Sequence, residues 1–216
     1  MPCYDGLVER HARREQVLAC AVRVFSRRGY HATTVSDIIE EAGVARGTFY
    51  LYFKSKRAIF DELLDDFLTR ILGEIRRVDL SPDAAPPLEQ MRGMVERVLG
   101  VLLGSLEMAR ILLRAAVGLD ADFDRKLEEF RKKLVERIEG SLRLGQGMGL
   151  VTDCDVRVAS LCILGSVKEV VDAMLTDPSA LPERSVLADE IMKVLLGGLF
   201  VQSARRGEER AASAGR

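Results

Sequence analysis

The side chains best suited to chemistry are hydrogen-bond donors gathered in one short stretch. Arg46, Gly47 and Thr48 stand together, and Tyr50, Tyr52, Lys54 and Lys56 follow within ten positions. Arginine offers a planar fork to guanine, threonine can meet a thymine methyl or a phosphate, and glycine lets a backbone come close to a groove. Tyrosine hydroxyls and lysine ammonium groups are the donors that hold phosphates and fix register. Together they describe a surface for duplex nucleic acid, provided that residues 45–50 form a helix with Phe49 turned inward.

The residues just upstream supply what such a helix needs. Thr33 to Val44 reads as a short capped helix, a glycine turn and a β-branched residue packing back. Thr34 can accept a first-turn N–H, Asp37 lies near the positive end of that helix, and Gly43 tolerates positive φ in the turn. Ile38, Ala42 and Val44 would form a miniature core. The arrangement specifies a helix-turn-helix.

Other chemistries find little material. The two histidines, His11 and His31, have no carboxylate or cysteine at ligand spacing, so no metal is expected. A nucleophile–base constellation and a glycine-rich phosphate loop are both lacking, which argues against an enzyme and against a cofactor. Cys3, Cys20, Cys154 and Cys162 form no CxxC pair, which favours a reducing, cytoplasmic setting. Cys154 and Cys162 are eight residues apart, about 12 Å along a helix and beyond disulfide reach within one chain; a bond between subunits stays open.

Charge is distributed unevenly. The chain of 216 residues has a net charge of −1, yet residues 1–60 hold ten Lys/Arg against six Asp/Glu and the remainder 22 against 27. A basic end beside an acidic body suits phosphate contact at that end only. Residues 7–25 interrupt their apolar pattern with Arg, Glu and His, unlike a secretory h-region. The longest apolar runs, 158–167 and 194–201, are about half of the roughly 20 residues that span a bilayer, so a soluble protein is expected.

The elements that must position the donors are helical throughout. The 3.6-residue periodicity recurs in almost every segment and no strand alternation appears, so the fold class is all-α. A first helix is expected over about 8–28, with Leu18, Ala21, Val22 and Phe25 on one stripe and Gly29 at its stop. Short helices over 34–41 and 45–50 follow, then a long one over 55–78. Asp79 to Pro87 is proline-dense and ends it. Five further helices are expected over about 88–104, 105–117, 121–145, 153–176 and 183–206. This divides the chain into a DNA-binding domain over 1–54, a larger helical domain over 55–206, and a flexible tail over 207–216.

Residues 14–64 resemble the DNA-binding domain of the tetracycline-repressor (TetR) family. The match runs through Arg14, Ala21, Phe25, Gly29-Tyr30, Thr33-Thr34-Val35, Asp37-Ile38, Ala42-Gly43-Val44, Gly47-Thr48-Phe49-Tyr50, Tyr52-Phe53, Ser55-Lys56 and Leu63. Ile39 departs from it, since the family often has alanine there. The resemblance implies that residues 45–50 are the recognition helix. It places Thr34, Tyr50, Tyr52 and Lys56 at phosphates, and Ser36, Arg46, Gly47 and Thr48 nearest the bases of double-stranded operator DNA.

The remaining helices suggest how binding is regulated. Residues 153–176 are apolar nearly all round and must be buried on two sides, and glycines inside the last helix point to a close crossing. The resemblance implies that the last two helices build a four-helix bundle with a second subunit. Val158, Leu161, Gly165, Val170, Leu195, Gly198 and Leu199 are the candidate contacts, with a monomer of large core as the alternative.

The resemblance also implies an effector pocket within residues 88–150. Its candidate lining is Met91, Met108, Arg110, Leu112, Arg114, Phe123 and Phe130, although a methionine or aromatic stripe also serves as plain core. Arg110 and Arg114 share a face, where they can receive an anion or pair with Glu107 or Asp120. The expected effector is small and hydrophobic, and anionic if the arginines serve it. Its binding would tilt the 55–78 helix and release the operator, the two events being reciprocally coupled. The alternative is a DNA-binding regulator gated by a protein partner or by no ligand.

Overall fold

The computed structural model describes residues 3–115, 120–177, 179 and 182–197; the side chains of 3–7, 114, 115 and 196 lie outside that description. Gly198, Leu199, the Arg114 side chain and the tail over 207–216 therefore fall outside the described residues. Among those described, all regular structure is helical.

Helix α1, Cys3–Arg28, begins about one turn before the expected start and buries Val17, Leu18, Ala21, Val24 and Phe25 along one face. Helix α2, Val35–Ala42, packs against it, and α3, Arg46–Tyr52, packs against α2. Helix α4, Lys56–Glu74, opens on the Ser55 hydroxyl, which accepts the Ala58 N–H at 3.1 Å. Its buried residues Ile59, Phe60, Leu64, Phe67, Leu68 and Ile71 form an apolar spine shared by both halves of the molecule.

Helix α4 ends four residues short of the expected Val78. The Arg137 guanidinium reaches across to donate to the carbonyls of Leu72 and, at 2.8 Å, Ile75, so the last turn is terminated from outside. The proline-dense loop is tied by Gln90, whose amide exchanges bonds of 2.8 Å with the Asp79 N–H and carbonyl and donates to Ala85 at 2.6 Å.

Helix α5, Pro87–Leu103, starts with proline at its first position, where the missing N–H costs nothing. The segment expected as one helix over 105–117 is a short α6, Leu106–Arg110, followed by a π-helical turn, Ile111–Ala115. Helix α7, Ala121–Gly147, is capped by Asp120. At Gly145 an added Cβ would lie 2.5 Å from Val151, so the glycine allows the chain to fold back beyond α7. Helix α8, Val156–Thr176, starts later than expected because the Asp155 carboxylate caps it, accepting the N–H groups of Arg157 and Val158. Helix α9 covers Arg184–Gly197.

The two halves meet in an aromatic joint. Phe60 lies between Phe25, Tyr30 and Phe123 at centroid distances of 5.1, 4.6 and 5.0 Å, so α1, the turn after it, α4 and α7 share one cluster. Around it Arg57 pairs with Asp120 at 3.1 Å and Asp122 at 2.6 Å. Lys126 pairs with Asp61 and, at 2.8 Å, with Asp65. No helix among the described residues is long and apolar enough to cross a membrane.

Candidate nucleic-acid interface

Helix α2 begins with a complete capping box. The Asp37 N–H donates to the Thr34 hydroxyl oxygen at 3.2 Å, and the Thr34 N–H donates back to the Asp37 carboxylate at 2.8 Å. These bonds from Thr34, and then Arg28, hold the Asp37 carboxyl below the usual carboxylate range. The helix closes on Gly43 at φ +60°, a left-handed conformation that a Cβ would disfavour. Ile38, Ala42 and Phe49 are buried where α2 meets α3, with Val44 half-buried beside them.

Helix α1 clamps this pair. Gln16 donates to the Ala42 carbonyl at 2.9 Å, Arg28 pairs with Asp37 at 2.6 Å, and Glu41 receives Arg23 at 3.0 Å together with Arg27. The two arginines also hold Glu41 below its usual pKa. Two acidic side chains of α2 are thus neutralised from behind. From residue 42 to residue 60 the chain has no Asp or Glu and carries Arg46, Lys54, Lys56 and Arg57. A surface of this sign attracts phosphate.

The expected contact residues fall into two groups. Ser36, Arg46, Gly47 and Tyr50 are exposed, and Thr48 is half-buried beside them. The Arg46 guanidinium stacks 5.8 Å over the Tyr50 ring, which holds both side chains at the surface. The others are engaged within the protein. The exposed Thr34 uses its hydroxyl in the capping box, donating to Asp37 at 2.8 Å. Tyr52 is half-buried against the core. Lys56 donates to the carbonyls of Tyr30 and Thr33, both at 2.7 Å, and lies 4.4 Å over the Tyr30 ring; burial pushes its pKa down. Sequence reasoning missed this role, because the turn that presents those carbonyls has no periodic signature.

The candidate effector residues are dispersed. Met108 and Phe130 are buried, and Met91 and Leu112 are half-buried. Phe123 is fully enclosed in the aromatic joint, with Arg57 5.2 Å over its ring. Arg110 is exposed and reaches the Leu175 carbonyl at 3.5 Å. Met108 also lines an open cleft of about 670 Å³ between α1, α4 and α6, whose floor includes Leu18, Val22, Leu63 and Phe67. A second cleft of about 260 Å³, between α4 and α7, is lined by charged side chains including Arg57 and Lys126.

The described candidate dimer residues are exposed or half-buried. Val158 is 57% and Leu161 40% exposed, Cys162, Gly165 and Ser166 are exposed on the same stretch of α8, and Val170 is half-buried. Leu195 of α9 is half-buried and Val194 beside it is 45% exposed. Helix α8 is therefore buried on one side in the single chain, through Ser160, Val171, Met174 and Leu175.

Fold and site together define a helix-turn-helix protein with a helical second domain. The family model for bacterial regulatory proteins of the tetR family matches residues 17–63, and that for the tetracyclin repressor-like C-terminal domain matches residues 84–172. The chain belongs to the TetR family of transcriptional regulators, DNA-binding proteins rather than enzymes.

Solved relatives span nearly the whole fold. The fatty acid degradation regulator FadR of Bacillus halodurans is 26% identical, with 87% of this chain and 96% of that one covered at a TM-score of 0.72. FadR of Bacillus subtilis, in complex with stearoyl-CoA, is 26% identical over 86% of this chain and 99% of that one, with a TM-score of 0.67. Among sequence relatives, the transcriptional repressor KstR2 of Mycolicibacterium smegmatis is 39% identical over only 83 residues, 38% of this chain and 40% of that protein.

Proposed function

We propose that the protein is a homodimeric repressor that occupies a palindromic operator and leaves it when a long-chain acyl-CoA binds. The observation that carries the operator reading is α3. It stands on a capped, glycine-closed turn and presents Arg46, Gly47 and Tyr50 to solvent, in a stretch without acidic side chains. One helix of seven residues covers few base pairs, whereas a two-fold dimer reads two half-sites. The exposed apolar stripe of α8 supports that dimer, with Val158, Leu161 and Gly165 as its contacts.

The effector class is supported by the stearoyl-CoA complex of a regulator that matches this chain over most of its length. An acyl-CoA joins a hydrophobic chain to an anionic head, the two chemistries that the apolar candidates Met91, Met108, Leu112 and Phe130 and the exposed Arg110 would supply. Coupling to the DNA would run through the joint of Phe60, Tyr30 and Phe123 and through the ion pairs that Arg57 and Lys126 make between α4 and α7.

The test is displacement from fluorescently labelled operator, followed by anisotropy during titration with stearoyl-CoA. Release by stearoyl-CoA, with coenzyme A and stearate alone much weaker, is expected. Unchanged operator affinity across short, medium and long acyl-CoA chains would remove the effector reading and leave the operator reading intact.

A further inference from the structure

We infer that Leu51 is a specificity-determining residue of the recognition helix, reading a thymine C5-methyl group in each half-site. This rests on the operator reading above. Leu51 is 70% exposed, the most exposed of the large apolar side chains described, and it projects from α3 itself. A single exposed leucine is ordinary on a protein surface. What sets this one apart is its surroundings.

Leu51 follows Gly47 by one helical turn, so the two share a face, with Tyr50 beside them at 46% exposure. A Cβ at Gly47 would meet nothing within 4 Å, so the protein's own packing does not require glycine there. On a face turned toward DNA, that missing side chain lets the helix axis come nearer the base edges, which brings the isobutyl group one turn later into reach. Arg46, Tyr50 and the exposed Lys54 flank the position, and no carboxylate lies between residues 42 and 60. The neighbouring groups therefore suit a polyanion, while leucine has neither donor nor acceptor to offer a phosphate.

The apolar feature that B-DNA displays in the major groove is the thymine methyl group. An isobutyl side chain held among phosphate-binding donors is matched to it and to none of the hydrogen-bonding edges. A buried methyl is worth roughly 0.8 kcal/mol, about fourfold in affinity for one half-site and on the order of tenfold for a two-fold operator.

The experiment is a uracil scan of the selected operator, in which each thymine is replaced symmetrically in both half-sites so that only the methyl is lost. Wild type, Leu51→Ala and Leu51→Met are compared at one salt concentration, with melting temperature and affinity for random duplex as checks on folding. One position is expected where uracil weakens wild type and Leu51→Met by about tenfold but leaves Leu51→Ala unaffected. Thymine positions elsewhere should affect all three alike. Wild type indifferent to uracil throughout, or Leu51→Ala as sensitive as wild type at every position, would overturn the inference while operator binding stands. Failure of wild type to bind any duplex preferentially would overturn the operator reading and this inference with it.

Discussion

Lys56 shows how far residue type can stand from residue role. As a lysine just beyond the recognition helix it has the chemistry of a phosphate anchor, and the family resemblance places it there. In the folded chain its ammonium closes the turn after α1, with two carbonyls at 2.7 Å and the Tyr30 ring beneath it. Charge-assisted bonds of this kind, partly exposed to water, contribute about 1–2 kcal/mol. Lys56→Met should lower the melting temperature by about 2–8 °C in a chain of this size. It should leave the slope of log affinity against log salt unchanged. Lys54→Met, at an exposed position, should reduce that slope by about two in a dimer through lost counterion release and leave melting unaltered. A reduced slope with unaltered melting for Lys56→Met would return that residue to the phosphate. Residue identity was legible in the sequence here, and the carbonyls that claim the ammonium were not, because they lie in an aperiodic turn.

Helix starts were legible where a capping side chain or glycine turn stands at the expected boundary: Thr34, Ser55 and Asp120 each cap a helix and Gly43 closes α2. The Asp155 cap was not read, and α8 begins at Val156 rather than at 153. The end of α4 was not legible, since it depends on an arginine more than sixty residues away. Nor was the π-helical turn after Arg110, whose apolar spacing is that of any helix. Helix α8 carries a more useful lesson. Its all-round apolar sequence implies two covered faces, and in the single chain one is left open along Val158, Leu161 and Gly165. If a second subunit supplies the cover, placing a charge in that seam opposes association at the cost of an unpaired buried ion. Leu161→Arg should therefore sediment near the monomer mass of 24.0 kDa at a concentration where wild type sediments as a dimer. Dimers of undiminished stability in this variant would exclude the α8 face.

At the scale of the whole molecule, two kinds of signal differ in how well they survive in a sequence. The helix-turn-helix is local: caps, turn and recognition helix lie within twenty residues, so order and spacing identify them. The effector domain is assembled from helices far apart in the chain, and its candidate residues share only an apolar character that core and pocket both use. Phe123 illustrates this, because its spacing is compatible with a pocket wall and its place is the joint between α4 and α7. The central claim concerns the local module and its duplication by symmetry. Selection of binding sites from random duplex DNA by the full chain, at one defined salt concentration, tests it most directly. The account predicts an enriched inverted repeat with half-site centres about one helical turn, or a whole number of turns, apart, lost on substitution of Arg46→Ala. Enrichment of a sequence without two-fold symmetry, or none at all, would contradict it.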